Sequence, residues 1–229
     1  MVYQHIPPSG IADAVSSEPE PGDVSAVREN DSIVLQNRFL RVVVDPDGRI
    51  TSLKLLGTNQ EYADETGLND WQLYQDVECV YDAWEMSHDA TDCPWNGTSS
   101  VQVRLTLNTP QRAEVTVERR FSESCATQVI RLDACSEQLN FVNHIDWHER
   151  HMLLKVRFAT NILCRDAVHE IQFGCIRRPA HRSDAFSAAQ YEVCQHRYSA
   201  LCDEGRGLAL LNDGSYGISC VTNLLKQDK

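Results

Sequence analysis

The sequence has no apolar run approaching the roughly 20 residues that a membrane-crossing helix requires. Positive charge is scarce: 21 Lys and Arg stand against 33 Asp and Glu, a formal net charge of −12. Nucleic acid and anionic membrane surfaces both select a basic face, so neither is expected as a partner. The nine cysteines sit singly, in odd number, and include no CxxC pair. A disulfide framework or a structural zinc site would space them otherwise. The expectation is reduced, mostly buried thiols in a cytoplasmic protein. The start, Met1-Val2-Tyr3-Gln4-His5, has neither a basic stretch nor an apolar one behind it, so no signal peptide is expected. Under that reading the Asn96-Gly97-Thr98 sequon is without consequence. There is no phosphate loop, GxGxxG or Ser-centred elbow, and no helical stripe sustained over three turns.

What is present is strand after strand. At 229 residues, with 42% hydrophobic and 24% charged residues, the chain can build a sizeable core. Ile33-Val34-Leu35 and Phe39 to Val44 are β-branched or apolar runs that stop at Asp45-Pro46-Asp47-Gly48. Pro presets φ and Gly supplies positive φ, so a reversal into Ile50-Thr51-Ser52-Leu53 is predicted there. Val101, Val103, Leu105 and Leu107 alternate with polar residues, the mark of a half-buried strand. Val115 to Glu118, Val129 to Leu132, Leu139 to Phe141, and Leu154, Val156 and Phe158 continue the series. The fold class predicted is all-β, a large antiparallel β-sandwich with little helix. Residues 1–30, rich in Pro, Gly and acid, are read as a linker segment or the last strand of a preceding small β-domain. Residues 31–229 are assigned to the sandwich.

Three constellations interrupt the strands. Tyr62 to Pro94 is acidic, carries Trp71 and Trp84, and contains Tyr81-Asp82-Ala83-Trp84-Glu85. It reads either as a long binding loop on a rigid scaffold or, with Trp95, as aromatic plugs at the sandwich edge. His144 to His151 is the densest ionisable cluster. On a strand, His144, Asp146 and His148 would share one face and could bind a metal or form a polar strip. Arg177 to Ser183 is a basic patch whose forked guanidinium groups suit loop or partner fastening, or plain solvation. The abundant acids single out no pair of carboxylates.

The ordered set of motifs resembles the C-terminal region of glycoside hydrolase family 38 α-mannosidases, the branch that includes bacterial and vacuolar enzymes. It comprises Leu35 to Val42 with Asp45 to Leu53, Tyr81 to Glu85, Asp146 to His151 with Leu153 to Val156, Glu170 to Gly174, Arg178 to Arg182, and Gly207 to Asp213 with Tyr216-Gly217. Ser183 and Ala180 depart from the family's usual Asn and Thr, and the family normally adds strands after Tyr216-Gly217, so the chain reads as truncated there. The resemblance implies a galactose-mutarotase-like sandwich that accompanies a retaining, zinc-dependent α-mannosidase. Its nucleophile and zinc would lie in an α/β barrel outside this chain, so no metal and no catalytic residue are expected within it. The implied partners are that barrel, a helical domain of the same parent chain, and a mannoside or oligosaccharide. Tyr81, Asp82, Trp84, Glu85, His181 and Arg182 are the residues expected at the edge of the substrate pocket. Two other readings stay open: an independent sugar-binding module stacking on Trp84 and Tyr81, or a mutarotase-like epimerase with His148 or His181 opposite a carboxylate.

Overall fold

The computed structural model describes residues 24–76, 89–97 and 99–220. The chain divides into two compact units, the first built from residues 1–75 and 94–160 and the second from 76–93 and 161–229. No helix among the described residues is long and apolar enough to cross a membrane.

The first unit is a sandwich of two antiparallel sheets. Its strands are β1 (Val24–Glu29), β2 (Ser32–Asn37), β3 (Leu40–Val44), β4 (Ile50–Leu55), β5 (Gln60–Glu61), β6 (Ala63–Gln75), β7 (Ser99–Asn108), β8 (Arg112–Phe121), β9 (Ser124–Asp133), β10 (Leu139–Asp146) and β11 (Met152–Thr160). One sheet runs β1-β2-β3-β4-β6-β11, with β5 beside β4, and the other runs β10-β9-β8-β7. Strand periodicity puts alternate residues inward. Ile33, Leu35, Val42, Val44 and Ile50 from one sheet, and Val115, Val117, Ile130 and Leu132 from the other, are essentially inaccessible to solvent. Each such aliphatic side chain contributes about 1.5–3 kcal/mol on burial.

The turn between β3 and β4 forms as the sequence predicts. Asp45 accepts from the Asp47 and Arg49 backbone N–H groups at 2.9 and 2.8 Å. Gly48 has φ +76, and a Cβ there would lie 2.6 Å from Val117 of the opposite sheet, so both conformation and space demand glycine. Polar side chains also span the two sheets. Asn37 Nδ2 donates to the Asp133 and Ser136 carbonyls at 2.8 and 2.7 Å, while its Oδ1 accepts from Phe39 and Leu40 N–H. Asn69 and Gln128 exchange amide hydrogen bonds of 2.7 and 3.1 Å, and Gln128 Nε2 also donates to Asn143.

Two stretches differ from the sequence reading. Val24–Glu29, inside the stretch read as a linker, pairs with β2 and buries Val24 and Ala26. Residues 63–75, expected as the first half of a long loop, form β6, the longest strand among the described residues. Alternation is hidden there because Gly67 (φ +84) and Asn69 (φ +60) distort the strand and the pairing with β11 shifts register. Its polar residues are satisfied in the sheet: Asn69 by Gln128, and Asp70 by Arg157 at 2.9 Å. Trp71 is thus a strand residue, and Arg119 lies 4.6 Å above its ring.

The second unit contains β12 (Asp166–Ile171), β13 (Gly174–Pro179), the single turn α1 (Ala185–Ala188), β14 (Val193–Cys194), β15 (Tyr198–Cys202), β16 (Gly207–Leu211) and β17 (Gly217–Ile218), with a 3-10 turn at Ala90–Asp92. The main sheet runs β13-β12-β15-β16, and β14 pairs with β17. Asp184 caps α1 through a reciprocal capping box with Ser187.

The thiols correct one expectation. Of the described cysteines only Cys164 is buried, while Cys125, Cys135, Cys175, Cys194 and Cys202 are exposed. Single cysteines fall on whichever strand face their position dictates: Cys125 sits on the outward-facing side of β9, between buried Ser124 and Ala126. Cys79 lies outside the described residues.

Candidate functional site

The residues expected at a pocket edge divide into two groups. Tyr81, Asp82, Trp84 and Glu85 lie outside the described residues. His181 and Arg182 occupy the link between β13 and α1, where Pro179 ends the strand and Asp184 begins the helix turn. The link is anchored from beneath, since Ala180 is fully buried and its N–H donates to the Arg165 carbonyl at 2.9 Å. His181 is half-buried, with Nδ1 2.9 Å from Ser183 Oγ. Arg182 is exposed and its Nη2 donates to the Tyr191 carbonyl at 3.3 Å. The Asp184 carboxyl is held below its ordinary range, first by backbone and side-chain hydrogen bonds from Ser187 and lastly by the nearby His181. Arg178 donates to the Cys194 carbonyl at 2.9 Å. The basic patch thus fastens loops through backbone carbonyls. Arg177 and Arg178 belong to β13 itself.

Sequence reasoning did not single out the buried polar network of this unit. His169, on β12 opposite Ser199 of β15, is buried and lies 2.6 Å from the Ser199 hydroxyl. That hydroxyl donates to Gln195 Oε1, and Gln195 Nε2 donates to the Ser215 carbonyl at 3.3 Å. A serine has one proton to give, so His169 Nδ1 carries the hydrogen in its bond to Ser199. Burial, and then the positive charge of Arg178, push the His169 pKa down to about 4. Its imidazole is neutral and fixed near pH 7, suited to structure and unsuited to donating a proton there. The signal was weak because His169 sits in a short strand with no second chemical residue at a telling spacing.

The cluster at His144 to His151 disperses on folding. β10 ends at Asp146, and beyond it His148 Nε2 lies 3.0 Å from Asp146 Oδ1 on the exposed surface. Glu149 turns away to accept from Ser124 and the Glu123 N–H, which holds its carboxyl below the ordinary range. Among the described residues no three His, Cys, Asp or Glu side chains lie close enough to hold a metal ion. Zinc therefore has no fitting ligand set in the described part of the chain. An open cleft of about 550 Å³ at one end of the first unit is lined by Leu107, Gln111, Arg112, Asp133, Cys135 and Ser136. Its two charged groups, Arg112 and Asp133, are spent on each other at 2.6 Å. Neither place assembles an acid and a base facing a common vacant space.

Comparison with known proteins agrees with the strand framework. A family model described as the glycosyl hydrolases family 38 C-terminal domain matches residues 35–227. The chain is 33% identical over 223 residues to alpha-mannosidase 2C1 of Homo sapiens, covering 96% of this chain and 21% of that protein. It is 30% identical to an alpha-mannosidase of Saccharomyces cerevisiae, covering 86% of this chain and 20% of the relative. The structure of an alpha-mannosidase from Enterococcus faecalis superposes with a TM-score of 0.67 over 88% of this chain and 27% of that one. At 14% identity that likeness concerns the fold alone. The chain spans about a fifth of the length of the curated relatives it matches. With the family model covering most of the sequence, this chain belongs to the C-terminal domain family of the family 38 glycosyl hydrolases.

Proposed function

We propose that this chain is the C-terminal β-sandwich region of a longer α-mannosidase that removes terminal α-mannose residues by a retaining, zinc-dependent reaction. The nucleophile and the zinc belong to a catalytic barrel elsewhere in that protein. The observation that carries this reading is the family match over residues 35–227 within relatives about five times as long. The buried histidine of the second unit suits that reading: His169 is held neutral in a hydrogen-bonded network, a structural role.

Within that reading the sandwich is a scaffold, and the loops on it are the parts that meet the remainder of the enzyme. Tyr81, Asp82, Trp84 and Glu85, with His181 and Arg182, shape the mouth of the substrate pocket. A buried Ala180 beneath an exposed Arg182 suits that role: the backbone is fixed while the guanidinium stays available to sugar hydroxyls. The test has two arms. The 229-residue chain alone, with and without zinc, is expected to give no hydrolysis of an aryl α-mannoside above background. In the full-length enzyme, Trp84→Ala and Arg182→Ala are expected to raise KM or lower kcat with the thermal midpoint nearly unchanged. Turnover by the isolated chain that a substitution within it abolishes would defeat the scaffold reading. Unaltered KM and kcat in both variants would return these residues to a purely structural role.

A further inference from the structure

One aromatic ring of the second unit is left wholly in solvent. Phe173 is exposed to 110% of the value for an unpacked residue. It stands at the tip of the β12–β13 hairpin, after six unbroken pairs from Asp166 opposite Pro179 to Ile171 opposite Gly174. The ring is therefore carried by an ordered element and not by a loose loop. Its backbone is strained as well: φ is +62, a left-handed value that bulky side chains rarely adopt. Glycine takes that conformation freely, yet the hairpin's glycine is Gly174, one residue later, which lies outside the left-handed region. A phenylalanine disfavoured both by water and by its own backbone is explained by a contact that this chain does not supply.

Two more apolar side chains lie at the same end of the sheet. Glu170 of β12 comes level with Tyr198 of β15, which pairs with Leu211 at the end of β16. Leu211 and, beyond it, Tyr216 are about half exposed. The Tyr216 ring meets His196 edge-on, with 5.7 Å between ring centres, and the Gln195 N–H donates to its carbonyl at 2.8 Å. The ordered polar groups around them are engaged within the unit. The Glu170 carboxylate accepts from the Arg197 N–H at 2.6 Å. Asn212 donates to the His196 carbonyl and accepts from the Gly214 and Ser215 N–H groups. What remains on offer is an aromatic ring on a rigid tip, beside further apolar surface. A sugar needs partners for its hydroxyls, whereas an apolar pocket on a protein surface needs only a ring that fits.

We infer that Phe173 is an anchor that inserts into an apolar pocket on the part of the parent enzyme outside this chain, with Leu211 and Tyr216 flanking the contact. This rests on the reading of the chain as a region of a longer α-mannosidase. The chain spans about a fifth of its relatives, so most of the surface of such a parent lies outside it. Insertion removes the ring from water and packs the tip so that a left-handed phenylalanine is held in place. The contact is separate from the pocket-edge residues, because His181 and Arg182 follow Pro179, at the other end of β13 from Phe173.

The test is hydroxyl-radical footprinting, with the peptide that carries Phe173 mapped by mass. It compares the folded full-length enzyme, the same enzyme in denaturant, and the folded 229-residue chain. Modification of Phe173 should be several-fold slower in the folded full-length enzyme than in denaturant, with no such slowing in the 229-residue chain. Phe173→Ser should lower the thermal midpoint of the full-length enzyme by several degrees, Phe173→Leu should largely restore it, and the 229-residue chain should barely respond to either. Should Phe173→Ser fail to fold, the footprint of the unsubstituted enzyme still decides. Equal rates in folded and denatured full-length enzyme would overturn the anchor and leave the mannosidase reading standing. A natural protein no longer than this chain would remove both. Slowing already present in the 229-residue chain, lost on dilution to monomer, or seen only with added mannoside would overturn it too. Those results would assign the ring to this chain's own residues, to a second copy, or to a sugar.

Discussion

The two units solve the burial problem differently. The first closes two sheets over an aliphatic core, and three of its buried polar groups, Asn37, Asn69 and Gln128, act as clamps between sheets. The second has one four-stranded sheet whose interior is organised by the polar chain His169–Ser199–Gln195. It also leaves Leu163, Phe173, Phe186, Leu211 and Tyr216 roughly half exposed or more. Apolar burial is directionless and accumulates with area, whereas a polar network holds only while every member keeps its partner. The first unit should therefore resist loss of volume poorly and changes of pH well. The second should show the reverse.

Four experiments break or sharpen that contrast. Ile130→Ala removes a fully buried side chain from the sandwich core. A loss of about 2–5 kcal/mol in chemical denaturation is expected, with amide exchange accelerating in β8 and β9 before β12 and β15. Gln128→Ala leaves the buried Asn69 Oδ1 without its partner, while Asn69 Nδ2 keeps the Gly48 carbonyl and the exposed Asn143 turns to solvent. About 1–3 kcal/mol should be lost for the group left unsatisfied, read by the same denaturation.

The third experiment is a pH titration of the second unit. Unfolded, His169 binds a proton near 6.5; folded, only near about 4. Between those values the unfolded chain holds more protons, so stability is complete above 6.5 and drains as pH falls towards 4. Exchange protection in β12 and β15 should fall across that window while β8 and β9 hold theirs. His169→Asn, which keeps a donor but does not titrate, should flatten the slope. The smallest effect is expected for Phe173→Ser at the β12–β13 hairpin, where the ring is wholly exposed. Its unfolding free energy should match that of the unsubstituted chain within about 0.5 kcal/mol.

Legibility in the sequence followed the physics of each element. The Asp45–Gly48 turn and strands β8 and β9 were readable because proline, glycine and strict alternation are local signals. β6 was not, because a strand whose polar residues meet partners on other strands looks like a loop until those partners are known. The same holds for the site. His181 and Arg182 could be picked out as a basic departure from strand pattern, but their tethers, the Tyr191 carbonyl and Ser183, depend on where the chain returns. His169 was invisible because its role is made by Ser199 and Gln195, some thirty residues onward. The HxDxH spacing at 144–148 left a metal site and a polar strip open, and the strand's length decides between them: only the His148–Asp146 pair forms of the three. β10 ends at Asp146, so the three side chains never share a strand face.

The pairing of β11 with β6 has a consequence for how the protein is made. Met152 lies opposite Gln75, and the whole meander β7 to β10 intervenes between the two strands. During synthesis one edge of the longest strand therefore waits, with its N–H and C=O groups unpaired, until residues beyond 150 have emerged. At about 5–20 residues per second that interval lasts several seconds or more. A nascent chain in that state offers an open strand edge to any neighbour. The contact of Thr160 with the Tyr62 carbonyl arrives only at the end of it. Slow, late closure is the expected kinetic signature of such distant pairing. Binding of a chaperone to β6 should cease once β11 has left the ribosome.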